Sequence, residues 1–169
     1  MTLKKVNILL ATNLAYCKLL IFNLLIFLNN SCTENTLIIN KIYTLKDEIW
    51  HRDSTLNFKF TIVDTSSVYN IFLYLKITNS YPKRNLYIFA TYAFPNGDNF
   101  RDTINCILAD ERGYFYGTSL LGLNFENLFL IKQQKLNQKG VYKLKLEQGL
   151  RTVVIKGIKN VGIRIEKVK

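Results

Sequence analysis

Apolar and polar residues alternate along most of the chain after residue 55, which predicts β-strands that each bury one face. The clearest apolar series are Leu56, Phe58, Phe60 and Ile62, then Ile71, Leu73, Leu75 and Ile77, then Leu86, Ile88, Ala90 and Tyr92. The same pattern predicts strands over 102–108, 128–132, 141–147 and 161–167. No stretch of a dozen residues has a convincing helical period, although 120–132 is compatible with one short helix. The pattern therefore predicts an all-β fold.

Turn-forming residues separate the predicted strands. They occur at 64–67, 80–82, 94–98, 111–113, 137–140 and 156–157. In the turn Phe94-Pro95-Asn96-Gly97 we expect Gly97 to supply a positive φ after Asn96. Strands and turns at this spacing are typical of a single β-sandwich or jelly-roll-like domain.

The first part of the chain has a different pattern, which predicts a lipoprotein signal peptide over 1–31. Lys4 and Lys5 precede an apolar stretch over 8–28, and Ser31 stands directly before Cys32. Cleavage before Cys32 would leave its thiol to carry a diacylglycerol and so anchor the protein to a membrane. Residues 32–41 are then expected to form a lipidated tether, and 42–169 the β-sandwich domain.

Two alternatives to this leader stay open, plain secretion and an uncleaved anchor. Lys18 and Asn23 interrupt the apolar stretch, whereas a membrane-spanning helix needs about 20 predominantly apolar residues. Asn29 occupies the position where a lipoprotein signal normally has leucine. Labelling with a palmitate analogue, with Cys32→Ala as the control, tests lipidation against these alternatives.

The net charge and the cysteines of the chain do not indicate a reactive site. The net charge of +11 loses Lys4, Lys5 and Lys18 with the leader, which leaves +8. This excess indicates a solvated basic surface, with attraction to anionic lipid, polysaccharide or nucleic acid as the alternative. Because an exported chain rarely meets nucleic acid, we predict no nucleic-acid partner. Cys106 is the one cysteine left after the leader and Cys32, and its position in the strand alternation predicts a buried, structural thiol.

The candidate reactive residues do not form a recognisable motif. His51 is the single histidine, and with Asp47 and Asp53 it makes too small a set for a typical zinc site. Asp98, Asp102 and Asp110 lack the acidic spacing of an EF-hand calcium loop. We therefore predict no catalytic residue, no metal and no cofactor. Trp50 is expected to anchor the core.

Several short segments together resemble the GldH family of gliding-motility lipoproteins from Bacteroidetes. They are Cys32 after its leader, Trp50, Tyr69-Asn70-Ile71, Asn79-Ser80-Tyr81-Pro82, Phe94-Pro95-Asn96-Gly97, Leu108-Ala109-Asp110, Gly113 with Gly117, Gly140-Val141-Tyr142, Leu150-Arg151 and the run 157–166. The resemblance covers the mature chain. The sequence departs from the family pattern at Phe115, where tryptophan is usual, and at Leu150, where methionine is usual.

The resemblance implies a non-enzymatic outer-membrane lipoprotein required for gliding motility and linked to type IX secretion. In some Bacteroidetes lipoproteins an acidic run directly after the lipidated cysteine directs export to the cell surface. Within 32–41, Glu34 is the one acidic residue, so the resemblance favours the periplasmic face. As a structural or assembly component, the domain is expected to dock another gliding or secretion envelope protein through an exposed apolar patch. The alternatives are a glycan-binding module, with Trp50, Tyr114 or Tyr116 lining a concave face, and an envelope hydrolase built around His51.

Overall fold

A computed structural model describes residues 36–168 and contains eleven β-strands and one short 3₁₀ turn, Lys46–Glu48. The strands are β1 Leu37–Thr44, β2 Ile49–His51, β3 Leu56–Ile62, β4 Val68–Thr78, β5 Asn85–Ala93, β6 Asn99–Ile107, β7 Thr118–Leu120, β8 Asn124–Lys135, β9 Gly140–Gln148, β10 Val154–Lys156 and β11 Ile158–Lys167. In the described part of the chain, no helix has the length and apolar character needed to cross a membrane.

The strands form two principal antiparallel sheets. The larger has the order β1-β11-β4-β8-β7, and the smaller has the order β3-β9-β5-β6. A separate two-stranded ribbon joins β10 to β2. The inward side chains of both sheets belong to one apolar cluster, so the domain is the predicted all-β sandwich.

The core consists of the alternating residues that the sequence pattern identifies. Leu73 on β4, Ile163 on β11 and Leu144 on β9 are almost completely buried. Trp50 is fully buried, and its indole N–H donates a hydrogen bond of 3.0 Å to the carbonyl oxygen of Ser54. The prediction that Trp50 anchors the core is confirmed, and its one polar group is satisfied.

The ordered domain begins earlier than the sequence pattern indicated. Residues 32–41 were expected to be a tether, but β1 begins at Leu37 and pairs with β11 as far as Thr44 opposite Asn160. Most β1 side chains are exposed, so this edge strand is held mainly by main-chain hydrogen bonds. Such a strand shows no clear alternation, which explains the error in the boundary.

The suggestion of a short helix over 120–132 is wrong. This segment forms the hairpin of β7 and β8, whose turn contains positive φ angles at Leu121 and Gly122. The whole of β8 pairs with β4, from Asn124 opposite Thr78 to Lys135 opposite Val68. Pairing along a long neighbouring strand overrides the weak local preference for helix.

The hairpin between β5 and β6 has the expected turn. The backbone N–H of Gly97 donates to the carbonyl oxygen of Phe94 at 3.0 Å, and Gly97 has a φ of +92°. The seven strands that alternation predicted are all present. The three-residue strands β2, β7 and β10 were missed because they are too short to show a period.

Candidate functional site

The residues weighed as catalytic or metal-binding do not converge on a site. His51 Nδ1 lies 3.7 Å from a carboxylate oxygen of Asp53, and both side chains are exposed. The Asp110 carboxylate accepts hydrogen bonds from the backbone N–H groups of Arg112 and Tyr114, so it orders its own turn. Within residues 36–168, no group of three His, Cys, Asp or Glu side chains is placed to hold a metal ion. Cys32, the predicted lipidation site, lies outside the described residues.

Cys106 is a buried thiol, as its position in the alternation predicted. Its exposed fraction is 1%, and burial raises its pKa to about 12. Because the thiolate is the reactive form, this thiol is inert at neutral pH.

The aromatic residues expected to stack on a glycan are not gathered together. Trp50 is inside the core, and Phe115 packs against the core through Tyr81 and Phe125. Tyr114 and Tyr116 are exposed, but they line neither of the grooves described below. A glycan platform built from Trp50 is therefore excluded.

The outer side of the five-stranded sheet is apolar at its centre. The register places Ile42, Gly162, Tyr74 and Leu128 in one row across four strands, and Asn40, Arg164, Phe72 and Leu130 in the next row. We call Ile42, Phe72, Tyr74, Leu128 and Leu130 the apolar face. Leu128 is 48% exposed and Leu130 is 53% exposed, so these side chains form a contiguous patch open to solvent.

A groove of about 330 Å³ lies on the apolar face and is bordered by Ile42, Tyr74 and Leu128. Gly162, which stands between Ile42 and Tyr74 in the row, is buried. Burial raises the pKa of the Tyr74 phenol to about 12, with a further contribution from the carboxylate of Glu126. The phenol therefore stays neutral at the edge of this groove.

Ion pairs border the apolar face. Lys76 Nζ lies 2.6 Å from a Glu126 carboxylate oxygen, and Arg164 Nη2 lies 2.6 Å from one of Glu166. The hydrogen bond from Lys76 holds the pKa of Glu126 below its usual range. An apolar centre with a charged rim is the usual anatomy of a protein–protein interface.

A second groove, on the smaller sheet, is lined by basic residues. It has a volume of about 570 Å³ and is bordered by Arg52, Arg101, Arg151, Phe89 and Glu147. We call these five residues the arginine groove. The guanidinium carbon of Arg101 lies 4.5 Å from the centre of the Phe89 ring. A guanidinium N–H of Arg52 donates to the backbone carbonyl oxygen of Arg151, which joins two sides of the groove.

The sequence led us to expect an exposed apolar patch but did not locate it, and it did not predict the arginine groove. The sequence does contain a signal for the apolar face. Residues 71–75 are apolar without interruption, which indicates a strand with apolar side chains on both faces. The arginine groove had no local signal. Arg52 follows β2, Arg101 lies on β6 and Arg151 lies between β9 and β10, so only the tertiary fold brings the three arginines together.

Comparison with known proteins gives a family match. A family described as GldH lipoprotein matches residues 37–165 of this chain, which include every strand except the last residues of β11. The matched region therefore contains the apolar face and the arginine groove.

Two gliding-motility proteins are similar along most of the chain. A gliding motility lipoprotein GldH homologue from Christiangramia forsetii is 28% identical over 156 residues, which cover 87% of this chain and 93% of that protein. The gliding motility lipoprotein GldH of Flavobacterium johnsoniae is 30% identical over 125 residues, covering 70% of this chain and 77% of that protein. Neither name describes an enzyme.

Among solved structures, dimeric latent PorU from Porphyromonas gingivalis is similar to this chain with a TM-score of 0.34 and 11% identity. The match covers 81% of this chain and 13% of that one. At this level the similarity supports no functional inference.

Proposed function

The chain belongs to the GldH lipoprotein family, and from this premise we propose that it is a non-enzymatic, lipid-anchored component of the gliding machinery. Its role is structural or assembly-related and linked to type IX secretion. The observation that carries this proposal is the apolar face, which is open to solvent and rimmed by charge. In this role the face docks another envelope protein of the gliding or secretion apparatus.

The composition of the apolar face supports docking to a protein. Phe72 and Tyr74 are half-buried and held on a central strand, so their positions are set before a partner arrives. Aromatic side chains held in this way lose little conformational entropy on binding. Ile42, Leu128 and Leu130 extend the contact area on both sides. The partner accordingly has an apolar surface of its own with charges at the margin.

We place the anchor at Cys32. Four residues separate Cys32 from Leu37, the first residue of β1, so an acyl group at Cys32 would keep the folded domain close to the bilayer. Stable anchoring requires more than one acyl chain, which a lipoprotein cysteine carries on its thiol and amine. We propose the outer membrane as the location, with the domain on the periplasmic side.

A complementation experiment tests the anchored role. Deletion of the gene is expected to abolish spreading on agar, and the wild-type gene is expected to restore it. Cys32→Ala is expected to give folded protein that is not labelled by a palmitate analogue and does not restore spreading. Full spreading by the unlabelled variant would overturn the role of the anchor, and spreading by the deletion strain would overturn the role in gliding.

In-cell crosslinking tests docking. A photoreactive amino acid at position 130 is expected to capture another envelope protein, and the same amino acid at Val141, on the outer side of the other sheet, serves as the control. Val141 is 50% exposed and Leu130 is 53% exposed, so the two probes are equally accessible. Equal capture at both positions would contradict docking by the apolar face.

A further inference from the structure

We propose that the arginine groove is a second binding site, which takes a polysaccharide bearing carboxylate groups. This site lies on the smaller sheet and is separate from the apolar face. It goes beyond the docking function and does not depend on it.

Charge selects an anionic ligand at this groove. Three guanidinium groups, those of Arg52, Arg101 and Arg151, border the same space. Around them, the register also places Lys59, Lys143 and Lys145 on the outward side of β3 and β9. On the outward side of the four described strands of this sheet, Glu147 is the one acidic residue, and it lies 3.2 Å from Lys145 and 3.8 Å from Arg101. The surface therefore has a large excess of positive charge.

A guanidinium beside an aromatic ring suits a ligand that combines a carboxylate with a sugar ring. The guanidinium carbon of Arg101 lies 4.5 Å from the centre of the Phe89 ring, so a cation and an apolar ring are neighbours in the groove. A guanidinium binds a carboxylate through two parallel N–H donors, and a sugar ring presents an apolar C–H face suited to contact with Phe89. A uronate residue supplies both groups in one ring.

The two central strands beneath the groove offer side chains and not backbone to a ligand. β5 and β9 are hydrogen-bonded to neighbours on both sides, whereas β6, which carries Arg101, is an edge strand of this sheet. The main-chain groups of β5 and β9 are thus not available to pair with an extended peptide. Phe89 on β5 and Glu147 on β9 therefore meet a ligand through their side chains, which suits a chain of sugar rings that bear carboxylates.

Calorimetry with defined oligosaccharides tests the proposal. The full-length protein, purified in detergent, is expected to bind oligogalacturonate and to bind its methyl ester at least about tenfold more weakly, because esterification removes the charge-assisted hydrogen bonds. Arg101→Ala and Arg151→Ala are each expected to reduce affinity about tenfold. Arg101→Lys keeps the charge but loses the planar donor pair, so it is expected to lose most of the affinity as well.

Two controls make the test decisive. Arg112→Ala removes the same charge from an exposed turn outside the groove and is expected to leave affinity unchanged. Arg101 and Arg151 are exposed, so thermal unfolding of their variants is expected to match the wild type. Binding of poly-L-glutamate as tightly as oligogalacturonate, or equal losses with Arg112→Ala and Arg101→Ala, would show only a general basic surface and would overturn the proposal. Absence of heat with oligogalacturonate would also overturn it.

Discussion

Gly162 on β11 lies directly opposite Tyr74 on β4, in the row of residues that crosses the centre of the apolar face. On its other side Gly162 is opposite Ile42 of the edge strand β1. An atom at the Cβ position of Gly162 would lie 2.6 Å from the carbonyl oxygen of Lys41 and 2.8 Å from Ile42 Cγ1. The glycine is therefore needed for the close approach of β1 to β11.

Replacing Gly162 is expected to loosen β1. The added methyl group of Gly162→Ala has no space against the backbone of β1, so we expect a loss of about 1–3 kcal/mol in the free energy of unfolding. Urea denaturation measures the loss, and amide hydrogen exchange is expected to rise over Leu37–Thr44. Gly113→Ala is the control, because Gly113 has a φ of +87° but open space around it. Gly113→Ala is expected to lower the free energy of unfolding without increasing amide hydrogen exchange in β1. Equal exchange in β1 in the two variants would show that Gly162 is not needed for the approach of this strand.

A charge in the apolar face is expected to stop motility without unfolding the protein. Leu128 is 48% exposed, so Leu128→Lys is expected to change the free energy of unfolding by no more than about 0.5 kcal/mol. Burying that lysine against an apolar partner is unfavourable, so spreading on agar is expected to fall sharply. The matched control is Val141→Lys at a position 50% exposed on the other sheet. Normal spreading with Leu128→Lys would show that the apolar face does not dock a partner needed for gliding.

The thiol of Cys106 is expected to be unreactive until the domain unfolds. Burial raises its pKa to about 12, so almost no thiolate exists at pH 8. Labelling with a water-soluble disulfide reagent is expected to modify Cys106 only in denaturant, with Cys106→Ala used to subtract labelling elsewhere. The raised pKa of Cys106 also makes the stability of the fold depend on pH. The contribution of the neutral thiol to the free energy of unfolding is complete below the ordinary thiol pKa of 9.0 and is lost as pH rises toward 12. Rapid labelling of the native protein would show that the thiol is accessible.

Acid is expected to weaken the turn between β3 and β4. Hydrogen bonds from Ser66 and Ser67, together with Lys167 Nζ at 3.0 Å, hold the pKa of Asp64 well below its ordinary value of 3.8. A depressed carboxyl pKa stabilises the fold above the ordinary value, and this contribution is lost as pH falls below it. Asp64→Asn is therefore expected to flatten the fall in stability between about pH 4 and pH 2, measured by urea denaturation. The exposed control Glu111→Gln is expected to leave this fall in stability unchanged. The same unchanged fall in Asp64→Asn would show that Asp64 does not cause the acid sensitivity.

The alternation of apolar residues and the turn residues predicted those parts of the fold that are set by residues close together in the sequence. Leu56 to Ile62 and Ile71 to Ile77 form buried strand faces because side chains alternate across any sheet. The turn at Gly97 was predictable because its positive φ requires a particular residue type at one position. The edge strand β1 and the hairpin of β7 and β8 were not predictable in this way, since both depend on pairing with distant strands.

The amino-acid pattern alone was sufficient to predict that the chain forms a β-sandwich and which side of each principal strand is buried, and it showed the resemblance to a family of gliding-motility lipoproteins. The positions of the recognition surfaces follow instead from the three-dimensional arrangement of the strands. Ile42, Tyr74 and Leu128 become neighbours through the order β1-β11-β4-β8, and Arg52, Arg101 and Arg151 meet around one groove of the smaller sheet. The physical reason is that alternation reports burial against the core, whereas the outward neighbours of a residue are set by strand order and register, which no local pattern encodes.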